Sequence, residues 1–575
     1  MGIVKIREMM YLCSPKMNVM ARLKYNFTWK KYHRWLGLVL SVFMLVFCVS
    51  GIILNHREVF SGCEVSRKWL PASYHIKNFN NGVVKGTVVK KSAAHSLSSE
   101  NCDSVLVYGC AGVFLTDSRL STWQDFNAGL PESIDERNVR HVVKAKDGSL
   151  WCAALRDVYR YDENSHRWKK VELPGNEERI MDVALAKDSM TVVALTRSRL
   201  FTIVPFVQYG EIVKIGKSSS ETYRVESKII PAPKKYEPKT TLFKLVWHLH
   251  SGEFFGLPGK LVVDAIALVL IVLSITGILL FILPYGIRRA KKLAAKARMK
   301  RLGKQFAWNM KWHNKIGYVT IVLTLWIAIT GMCLRPPLMV PLVLSKLPQA
   351  VGEDGNVWQD KLRAIRWDAV QGDWLVSTSE GFLRVDEDFS QAPKMLPDDE
   401  CPKLSPMGVT VWESDGKGGW IVGSFRGIYR WNPVNHSLNQ ILDYFTGKPS
   451  EETSMIPISD NLVCGYSEDF LGGKPLVFDF AKGVEDAKGQ AVALCNDEPK
   501  KSRNEESMSD LICETAPMSL WNVALELHVG RCYSPFLGPL SDLFVFLSGL
   551  LITLVLLSGY IISHRRRKKA QARLR

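Results

Sequence analysis

Several short motifs that would assign a chemistry are missing from this chain of 575 residues. Its twelve cysteines form no CxxC, CxxCH or zinc-ligand spacing, which leaves c-type haem attachment and structural zinc unsupported. There is no GxGxxG dinucleotide fingerprint and no P-loop. We also find no arrangement of Ser, His and Asp, or of Cys and His, that indicates a catalytic nucleophile. The sequence therefore offers no motif for nucleotide chemistry or nucleophilic catalysis.

Acidic residues are almost absent from three short segments. Residues 1–34 carry eight Lys/Arg and one Glu, residues 285–312 carry ten Lys/Arg and no acid, and residues 563–575 carry seven Lys/Arg and no acid. These segments hold a combined net charge of +24, whereas the whole chain has +19, so the remainder is net negative. Basic residues beside apolar runs follow the positive-inside rule. Membrane topology thus explains the charge, and we expect no nucleic-acid partner.

Four runs are uncharged or nearly so: 36–54, 261–283, 316–334 and 543–562. Each can cross a hydrocarbon core of ~30 Å, which needs roughly 20 apolar residues. We therefore predict a multi-pass protein of a bacterial inner (plasma) membrane, with both termini cytoplasmic and two large periplasmic loops. The first run has no small-residue cleavage site after it, so we interpret it as an uncleaved anchor.

The predicted order of segments alternates between the two sides of the lipid membrane. It is a basic cytoplasmic segment (1–34), TM1 (35–55), a first extracytoplasmic half-domain (56–257), TM2 (258–284), a basic cytoplasmic loop (285–312), TM3 (313–334), a second extracytoplasmic half-domain (335–536), TM4 (537–562) and a basic cytoplasmic tail (563–575).

A short strand pattern recurs in both large loops. It reads Gly112-Val-Phe-Leu-Thr-Asp117, Asp157-Val-Tyr-Arg-Tyr-Asp162, Gly381-Phe-Leu-Arg-Val-Asp386 and Gly427-Ile-Tyr-Arg-Trp-Asn432, with a weaker copy at 199–203. Alternating β-branched and aromatic residues between Gly, Asp and Asn are typical of strands and tight turns. About three such units per loop, at a spacing near forty residues, indicate propeller blades.

Three blades do not close a ring, because propellers usually have about 4–8 blades. We therefore predict one propeller of about six blades, half from each loop; the alternative is two separate open β-domains. The pattern resembles the propellers of bacterial two-component sensors. Segments 205–240 and 485–520 lack it, and we expect linkers there. The predicted fold class is a membrane protein with a four-helix transmembrane bundle of duplicated two-helix units and an all-β, propeller-like extracytoplasmic domain.

Histidines recur at the ends of the apolar runs in duplicated register. In two runs a His is followed by Gly at +4 and +18, and in the other two a His is followed by Asp at +14. These sets are His33, Gly37 and Gly51; His313, Gly317 and Gly331; His250 and Asp264; and His528 and Asp542. A histidine at the end of a membrane helix is costly and usually functional. We expect the two aspartates to cap TM2 and TM4; the alternative is that they pair with Arg or with a haem propionate partner.

The duplicated histidines predict axial ligands of a buried cofactor. A b-type haem in a helix bundle needs two such ligands from different helices, and glycine lets the porphyrin approach the backbone. We therefore predict two b-type haems, an inner one between His33 and His313 and an outer one between His250 and His528. The alternative is that a histidine beside tryptophan only anchors a helix at the interface.

His56 and His248 are further candidates at the outer side. Their register partners are Pro336 and Glu526, so the duplication does not support them as a pair. They could still ligate together or tune the outer haem.

The helix motifs resemble one membrane family. His-Arg-Trp-Leu-Gly…Ser-Gly and His-Ser-Gly-Glu-Phe-Phe-Gly-Leu-Pro-Gly…Thr-Gly are similar to the PepSY-associated transmembrane family, over roughly 28–60, 245–290, 308–335 and 522–565. That family includes inner-membrane reductases that strip iron from ferric siderophores with b-type haems. The resemblance implies ligation by the four duplicated histidines, with His56 as an addition. The outer loops look propeller-like where typical members carry PepSY modules, so the substrate stays open.

Three functions compete for this architecture. The first is a haem-containing oxidoreductase that passes electrons to an extracytoplasmic acceptor such as a ferric complex or siderophore. Its donor would be a membrane quinol or a separate protein, because the cytoplasmic segments are too short to fold a flavin or nicotinamide domain. The second is a non-enzymatic, membrane-anchored propeller that senses a ligand or assembles with a protein partner. The third is a transporter subunit.

Overall fold

The protein was analysed as a computed structural model. It describes residues 15–91, 104–120, 122–176, 178–205, 207–208, 211–212, 223–349, 355–405, 408–435, 437–440, 462–470, 472–486, 492, 512 and 516–574. The chain divides into two units. The helical unit comprises Met1–Phe60, Lys239–Leu347 and Trp521–Arg575, and the β unit comprises Ser61–Pro238 and Pro348–Leu520. Both large loops therefore contribute to one β unit.

Long apolar helices dominate the helical unit. The helices are α1 (Pro15–Asn55), α2 (Arg57–Phe60), α3 (Leu242–Ser251), α4 (Gly256–Lys292), α5 (Lys296–Val319), α6 (Ile321–Cys333), α7 (Met339–Leu344), α8 (Leu520–His528), α9 (Ser534–Leu537) and α10 (Ser541–Leu574). Three helical segments of the described chain are long and apolar enough to cross a membrane: Trp29–Asn55, Glu253–Lys292 and Arg531–Ala572. The pair α5 and α6 makes a fourth if it counts as one span.

The third predicted span is a bent pair rather than one straight helix. The axes of α5 and α6 differ by 68°, and Thr320 lies between them. Its hydroxyl donates to the carbonyl oxygen of Ile316 at 2.9 Å. Such back-bonding by Thr is a known cause of helix bending. With 13 residues, α6 alone is shorter than the roughly 20 residues that a span needs.

Strands account for the β unit, and two further short strands, Lys239–Thr241 and Lys346–Pro348, lie wholly or mostly in the helical unit. The strands are β1 (Glu64–Val65), β2 (Gly86–Lys91), β3 (Ser104–Gly109), β4 (Gly112–Asp117), β5 (Trp123–Asp125), β6 (His141–Lys144), β7 (Leu150–Ala153), β8 (Val158–Asp162), β9 (Arg167–Val171), β10 (Asp182–Leu185), β11 (Val192–Leu195), β12 (Leu200–Pro205), β13 (Val207–Gln208), β14 (Glu211–Ile212), β15 (Tyr223–Lys228), β16 (Lys239–Thr241), β17 (Lys346–Pro348), β18 (Leu362–Asp368), β19 (Asp373–Thr378), β20 (Gly381–Val385), β21 (Lys394–Met395), β22 (Val411–Ser414), β23 (Trp420–Ser424), β24 (Gly427–Asn432), β25 (Ser437–Gln440), β26 (Val463–Ser467), β27 (Leu476–Asp479), β28 (Gly483–Asp486) and β29 (Met518–Ser519). Six larger sheets have the orders β2-β3-β4-β5, β6-β7-β8-β9, β10-β11-β12-β15, β18-β19-β20-β21, β22-β23-β24-β25 and β26-β27-β28. Each loop contributes three of them.

The recurring sequence pattern occupies one position in these sheets. Its four clear copies form β4, β8, β20 and β24, and the weaker copy begins β12; each is the third strand of its sheet. The expectation that segment 205–240 is only a linker is wrong. In it, β15 pairs with β12 and completes a sheet. The strand follows the β13–β14 hairpin and lacks the Gly and aromatic pattern of the others.

Buried apolar clusters connect the six sheets in chain order. Each sheet shares a cluster with the next one, and the sixth shares one with the first. Two of these clusters join strands of different loops. In addition, β1 and β29 pair antiparallel, with Glu64 opposite Ser519 and Val65 opposite Met518. The two loops thus share both core and strand pairing, which independently folded domains would lack.

Candidate cofactor site

The four duplicated histidines form two pairs in the helical unit. The ring centres of His33 on α1 and His313 on α5 are 6.4 Å apart, with the ring planes at 69°. Those of His250 near the end of α3 and His528 at the end of α8 are 6.2 Å apart, at 52°. Each pair joins one residue from each copy of the repeat. Their role as ligands stays a prediction.

Each imidazole is bound through Nδ1 to a hydroxyl on a neighbouring helix. The distances are 2.9 Å from His33 to Ser558, 2.9 Å from His528 to Ser50, 3.0 Å from His250 to Thr330 and 2.9 Å from His313 to Thr276. All four hydroxyls donate their hydrogen to a carbonyl of their own helix. Each hydroxyl oxygen must therefore accept from the imidazole, so the ring proton is on Nδ1.

Two backbone contacts support the same tautomer. Nδ1 of His33 lies 3.1 Å from the carbonyl oxygen of Val555, and Nδ1 of His528 lies 3.1 Å from that of Phe47. A carbonyl oxygen only accepts, so these nitrogens must donate. A neutral imidazole with its proton on Nδ1 keeps a lone pair on Nε2. Within the part of the chain that the structure describes, no side chain or backbone group binds Nε2 of these four histidines.

A glycine beside each hydroxyl makes room for the ring. We call the dipeptides Ser50-Gly51, Thr276-Gly277, Thr330-Gly331 and Ser558-Gly559 the imidazole seats. A methyl group in place of hydrogen would come within 2.8 Å of His250 Cε1 at Gly331 and within 2.9 Å of His33 Cε1 at Gly559. It would be 3.3 Å from His528 at Gly51 and 3.6 Å from His313 at Gly277. At the first two positions the imidazole would have to shift to make room for a methyl group.

Sequence reasoning missed the hydroxyl half of each seat. Its signal was a Ser-Gly or Thr-Gly dipeptide in every apolar run. Gly51 and Gly331 served only to mark the repeat, two of the dipeptides served only as family motifs, and the hydroxyls were given no role. The glycines at +4 have another role again. Gly37 and Gly317 approach Val555 and Leu273 of neighbouring helices at ordinary packing distance.

The seated histidines fit an iron held by two nitrogens. A bond from a metal to an imidazole nitrogen is about 2 Å long. Once the distance from each nitrogen to its ring centre is included, separations of 6.2 and 6.4 Å leave space for one metal ion between each pair of rings. All four rings remain partly exposed. Metal-bound histidines usually donate their second N–H to a fixed acceptor, as these do.

A largely buried arginine with one unused donor, close in sequence to the seat of His250, also fits a cofactor with carboxylates. Arg335 follows α6, five residues beyond the seat threonine Thr330. Its Nε is buried without a hydrogen-bond partner among the described residues, and its side chain is 18% exposed. Its ion pair with Asp542 is long, at 3.6 Å, and Asp542 is 70% exposed. A buried guanidinium with spare donors favours an anionic group such as a haem propionate.

The remaining candidates, His56 and His248, have other neighbours. Nε2 of His56 lies 2.6 Å from Oδ2 of Asp264, and the ring of His248 lies beside Trp247 with centres 5.5 Å apart. The expectation that Asp264 caps its helix is wrong, because α4 already begins at Gly256. Asp264 instead binds His56 and accepts from Asn55 Nδ2 at 3.2 Å. Asp542 is the second residue of α10, inside its first turn, and it forms an ion pair with Arg335 at 3.6 Å, which is the alternative to capping.

A second polar cluster lies in the β unit, on the first strands of neighbouring sheets. Arg366 Nη1 donates to Asp182 Oδ2 at 2.6 Å, and His141 Nδ1 lies 3.2 Å from Asp182 Oδ1. Burial alone would raise the pKa of Asp182, but Arg366 and His141 outweigh it and hold that pKa below its usual value. Burial raises the pKa of nearby Glu413. No group of three or more His, Cys, Asp or Glu suited to a metal ion occurs among the described residues.

Comparison with known families agrees with the duplication. The family model of the PepSY-associated TM region matches the chain twice, over residues 16–284 and 281–567. The chain belongs to this PepSY-associated transmembrane family. Each half is one copy of the family unit, so the two histidine pairs and four seats are built by two PepSY-associated units facing each other.

Comparisons with individual proteins add less. No curated protein matches the chain. Two solved structures from B. thetaiotaomicron are similar to it. One is the extracellular domain of a protein described as a one component system (TM-score 0.32, 11% identity, covering 70% of this chain and 32% of that one). The other is the extracellular domain of a protein described as a hybrid two component system (TM-score 0.29, 9% identity, 72% and 39%). The chain matches less than two fifths of the length of either.

Proposed function

We propose that this PepSY-associated protein holds two b-type haems and transfers electrons across the membrane to an extracytoplasmic acceptor, a ferric complex or siderophore. The observation that carries the proposal is the pair of opposed imidazoles at each site, with Nδ1–H held in a seat and Nε2 left without a partner. Bound haem supplies reversible one-electron chemistry, whose potential depends on its axial ligands.

The residues of the chain have distinct tasks in this proposal. His33 and His313 would hold the inner haem, and His250 and His528 the outer one. The seat hydroxyls fix the tautomer and the orientation of each ring, and a hydrogen bond to the second nitrogen makes an imidazole a stronger ligand. The seat glycines let ring and helix approach closely. Arg335 would neutralise a carboxylate at the outer site.

We also propose that 1–34, 285–312 and 563–575 are cytoplasmic and that both large loops are on the opposite side. The uneven distribution of Lys and Arg supports this orientation. Reporter fusions or cysteine labelling at 285–312 would test it. Labelling of this loop from the periplasmic side would overturn both the orientation and the assignment of inner and outer sites.

The six larger sheets are, in our proposal, the blades of one propeller closed between the sixth and the first. Support comes from the shared clusters and from contacts between first strands of different sheets, such as Thr87 with Ser467 at 2.7 Å. Closure would protect exposed strand edges.

A designed disulfide between the two loops tests whether they fold as one domain, which the propeller requires. In a Cys63→Ser background, Val65→Cys with Met518→Cys should crosslink, because antiparallel partners have Cα atoms about 4.5–5.5 Å apart and disulfides tolerate about 4.4–6.8 Å. Val65→Cys with Lys417→Cys is the control and should stay reduced. Failure of the first pair to crosslink in folded protein would indicate that the loops fold apart.

The electron-transfer function is tested with the full chain in lipid vesicles. After haem-replete expression, the absorption spectrum should change on reduction and change back when a ferric chelate is added on the side of the large loops. The His313→Ala variant should lose this reoxidation, whereas His166→Asn, on an exposed turn of the β unit, should keep it. A colourless wild-type protein would favour the anchored sensor or transporter interpretation instead.

A further inference from the structure

One aromatic cluster breaks the symmetry of the helical unit. Tyr318 of α5 and Tyr560 and His564 of α10 contact each other in nearly parallel orientation. Ring centres are 5.0 Å apart for Tyr318 and Tyr560, 6.2 Å for Tyr318 and His564, and 5.8 Å for Tyr560 and His564, with planes at 13°, 5° and 17°. We call these three residues the Tyr-Tyr-His cluster.

The cluster adjoins the inner histidine pair along both helices. Tyr560 directly follows Gly559, the seat glycine that His33 approaches. Tyr318 lies five residues after His313, on the same helix. The cluster therefore lies about one helical turn from the groups proposed to hold the inner haem.

The described residues of the first half carry a different aromatic group, in which Phe281 of α4 contacts Trp35 of α1 and Tyr285, with ring centres 5.0 and 5.6 Å apart. Aligned on His33 and His313, Tyr318 corresponds to Leu38; aligned on the seats that contain Gly277 and Gly559, Tyr560 and His564 correspond to Ile278 and Ile282. The duplication kept the seats in both halves but placed two phenols and an imidazole in one half only. This asymmetry indicates a task that only one side of the inner site performs.

The chemistry of the cluster matches the ring of a quinol. Aromatic faces bind planar rings by offset stacking, and all three side chains are partly exposed. The His564 ring can accept a proton; its Nδ1 is 3.5 Å from Tyr318 Oη, a long hydrogen bond that a ligand hydroxyl could replace. The guanidinium of Arg567 lies 4.0 Å over the Tyr318 ring. The neighbouring basic tail indicates the end of the span, where a lipid-soluble ring meets water.

We propose that the Tyr-Tyr-His cluster binds the ring of a membrane quinol and that His564 accepts its proton. This rests on the proposed function, since the oxidant is the inner b-type haem. One quinol loses two electrons and two protons to become a quinone. The electrons would leave one at a time, and the first would have to pass from the inner haem to the outer haem and its acceptor before the inner haem could take the second. One proton passes to His564 and then to water, and the other passes directly to water.

Two readouts test the proposal on the full chain in detergent. Calorimetric titration with a short-chain quinone measures binding, and rapid mixing with the matching quinol measures the rate of haem reduction. The variant Tyr318→Leu with His564→Ile copies the first half. It should bind quinone about tenfold more weakly and lose reduction by quinol, while dithionite still reduces both haems. Ile282→Val, at the equivalent position of the first half, should match wild type in both readouts.

A further variant separates stacking on the quinone ring from transfer of the quinol proton to residue 564. His564→Phe retains an aromatic ring, so it should bind quinone but accept electrons from quinol slowly. Unchanged binding and reduction in the double variant would overturn the proposal, as would reduction of the inner haem only by a soluble donor protein. If the purified protein contained no haem but still bound quinone, the proposed function would be contradicted. The assignment of quinone as the ligand of the Tyr-Tyr-His cluster would still hold.

Discussion

The two halves of the helical unit share the histidines and their seats but differ at the ends of their helices. Both contribute two histidines and two seats with the same hydrogen-bond pattern. The first half has a continuous α1, whereas the corresponding span of the second is bent at Thr320. At the end that we propose faces outward, Asn55 binds Asp264 in the first half, whereas Arg335 pairs with Asp542 in the second. Duplication has therefore preserved the means of fixing the imidazoles and let the ends of the helices diverge.

The largest effect is expected when one histidine of a pair is replaced. His313→Ala should remove the inner haem and leave the outer one, and His528→Ala should do the reverse. Each should lower haem content to about half, since each iron would lose one of two axial ligands. Haem assay and reduced-minus-oxidised spectra would measure this. If either substitution lowered the absorption of both haems equally, the two sites would not be independent.

A methyl group added to equivalent seats should have unequal effects. Gly331→Ala would place Cβ 2.8 Å from His250 Cε1, so the ring must shift, and we expect substantial loss of outer haem. Gly277→Ala would leave 3.6 Å to His313, an ordinary contact, and should retain inner haem. Gly303→Ala, with open space around it, is the background control. Equal loss in the first two variants would argue against clearance as the reason for glycine.

Removing one seat hydroxyl should weaken ligation without abolishing it. Thr330→Val retains the shape of the side chain but deprives His250 Nδ1 of its acceptor. Loss of such a partner typically costs about 10- to 100-fold in metal affinity, which haem titration of the stripped protein would measure. Thr324→Val is a matched control, because that hydroxyl bonds only within its own helix. Similar losses from both variants would assign the effect to helix packing.

The smallest expected effect concerns the divergent outer end. Arg335→Gln removes a buried positive charge, which should make the outer haem harder to reduce. We expect its midpoint potential to fall on the order of 50 mV, given that a tenfold change in a one-electron equilibrium is about 59 mV. Arg531→Gln, which breaks an exposed pair with Glu526, should change it less. A potential that is unchanged in Arg335→Gln would remove this residue from the site.

The sequence predicted which elements recur but not how they connect. His33 and His313 could be predicted as partners because each is followed by Gly at +4 and +18, so the two residues occupy equivalent positions of the repeat. The hydrogen bond from His33 to Ser558 joins opposite ends of the chain, and no local pattern reports such a contact. The bend at Thr320 was missed because the apolar run 316–334 is continuous, and hydropathy does not register helix direction. Strand β15 was missed because pairing with β12, rather than its own composition, makes it a strand.

The ratio of haem to protein in the purified full chain tests the central claim most directly. The account predicts two b-type haems per chain in the wild type, one in His313→Ala or His528→Ala, and none when all four seated histidines are replaced by alanine. A colourless wild type after haem-replete expression, or full haem content in the fourfold variant, would contradict it.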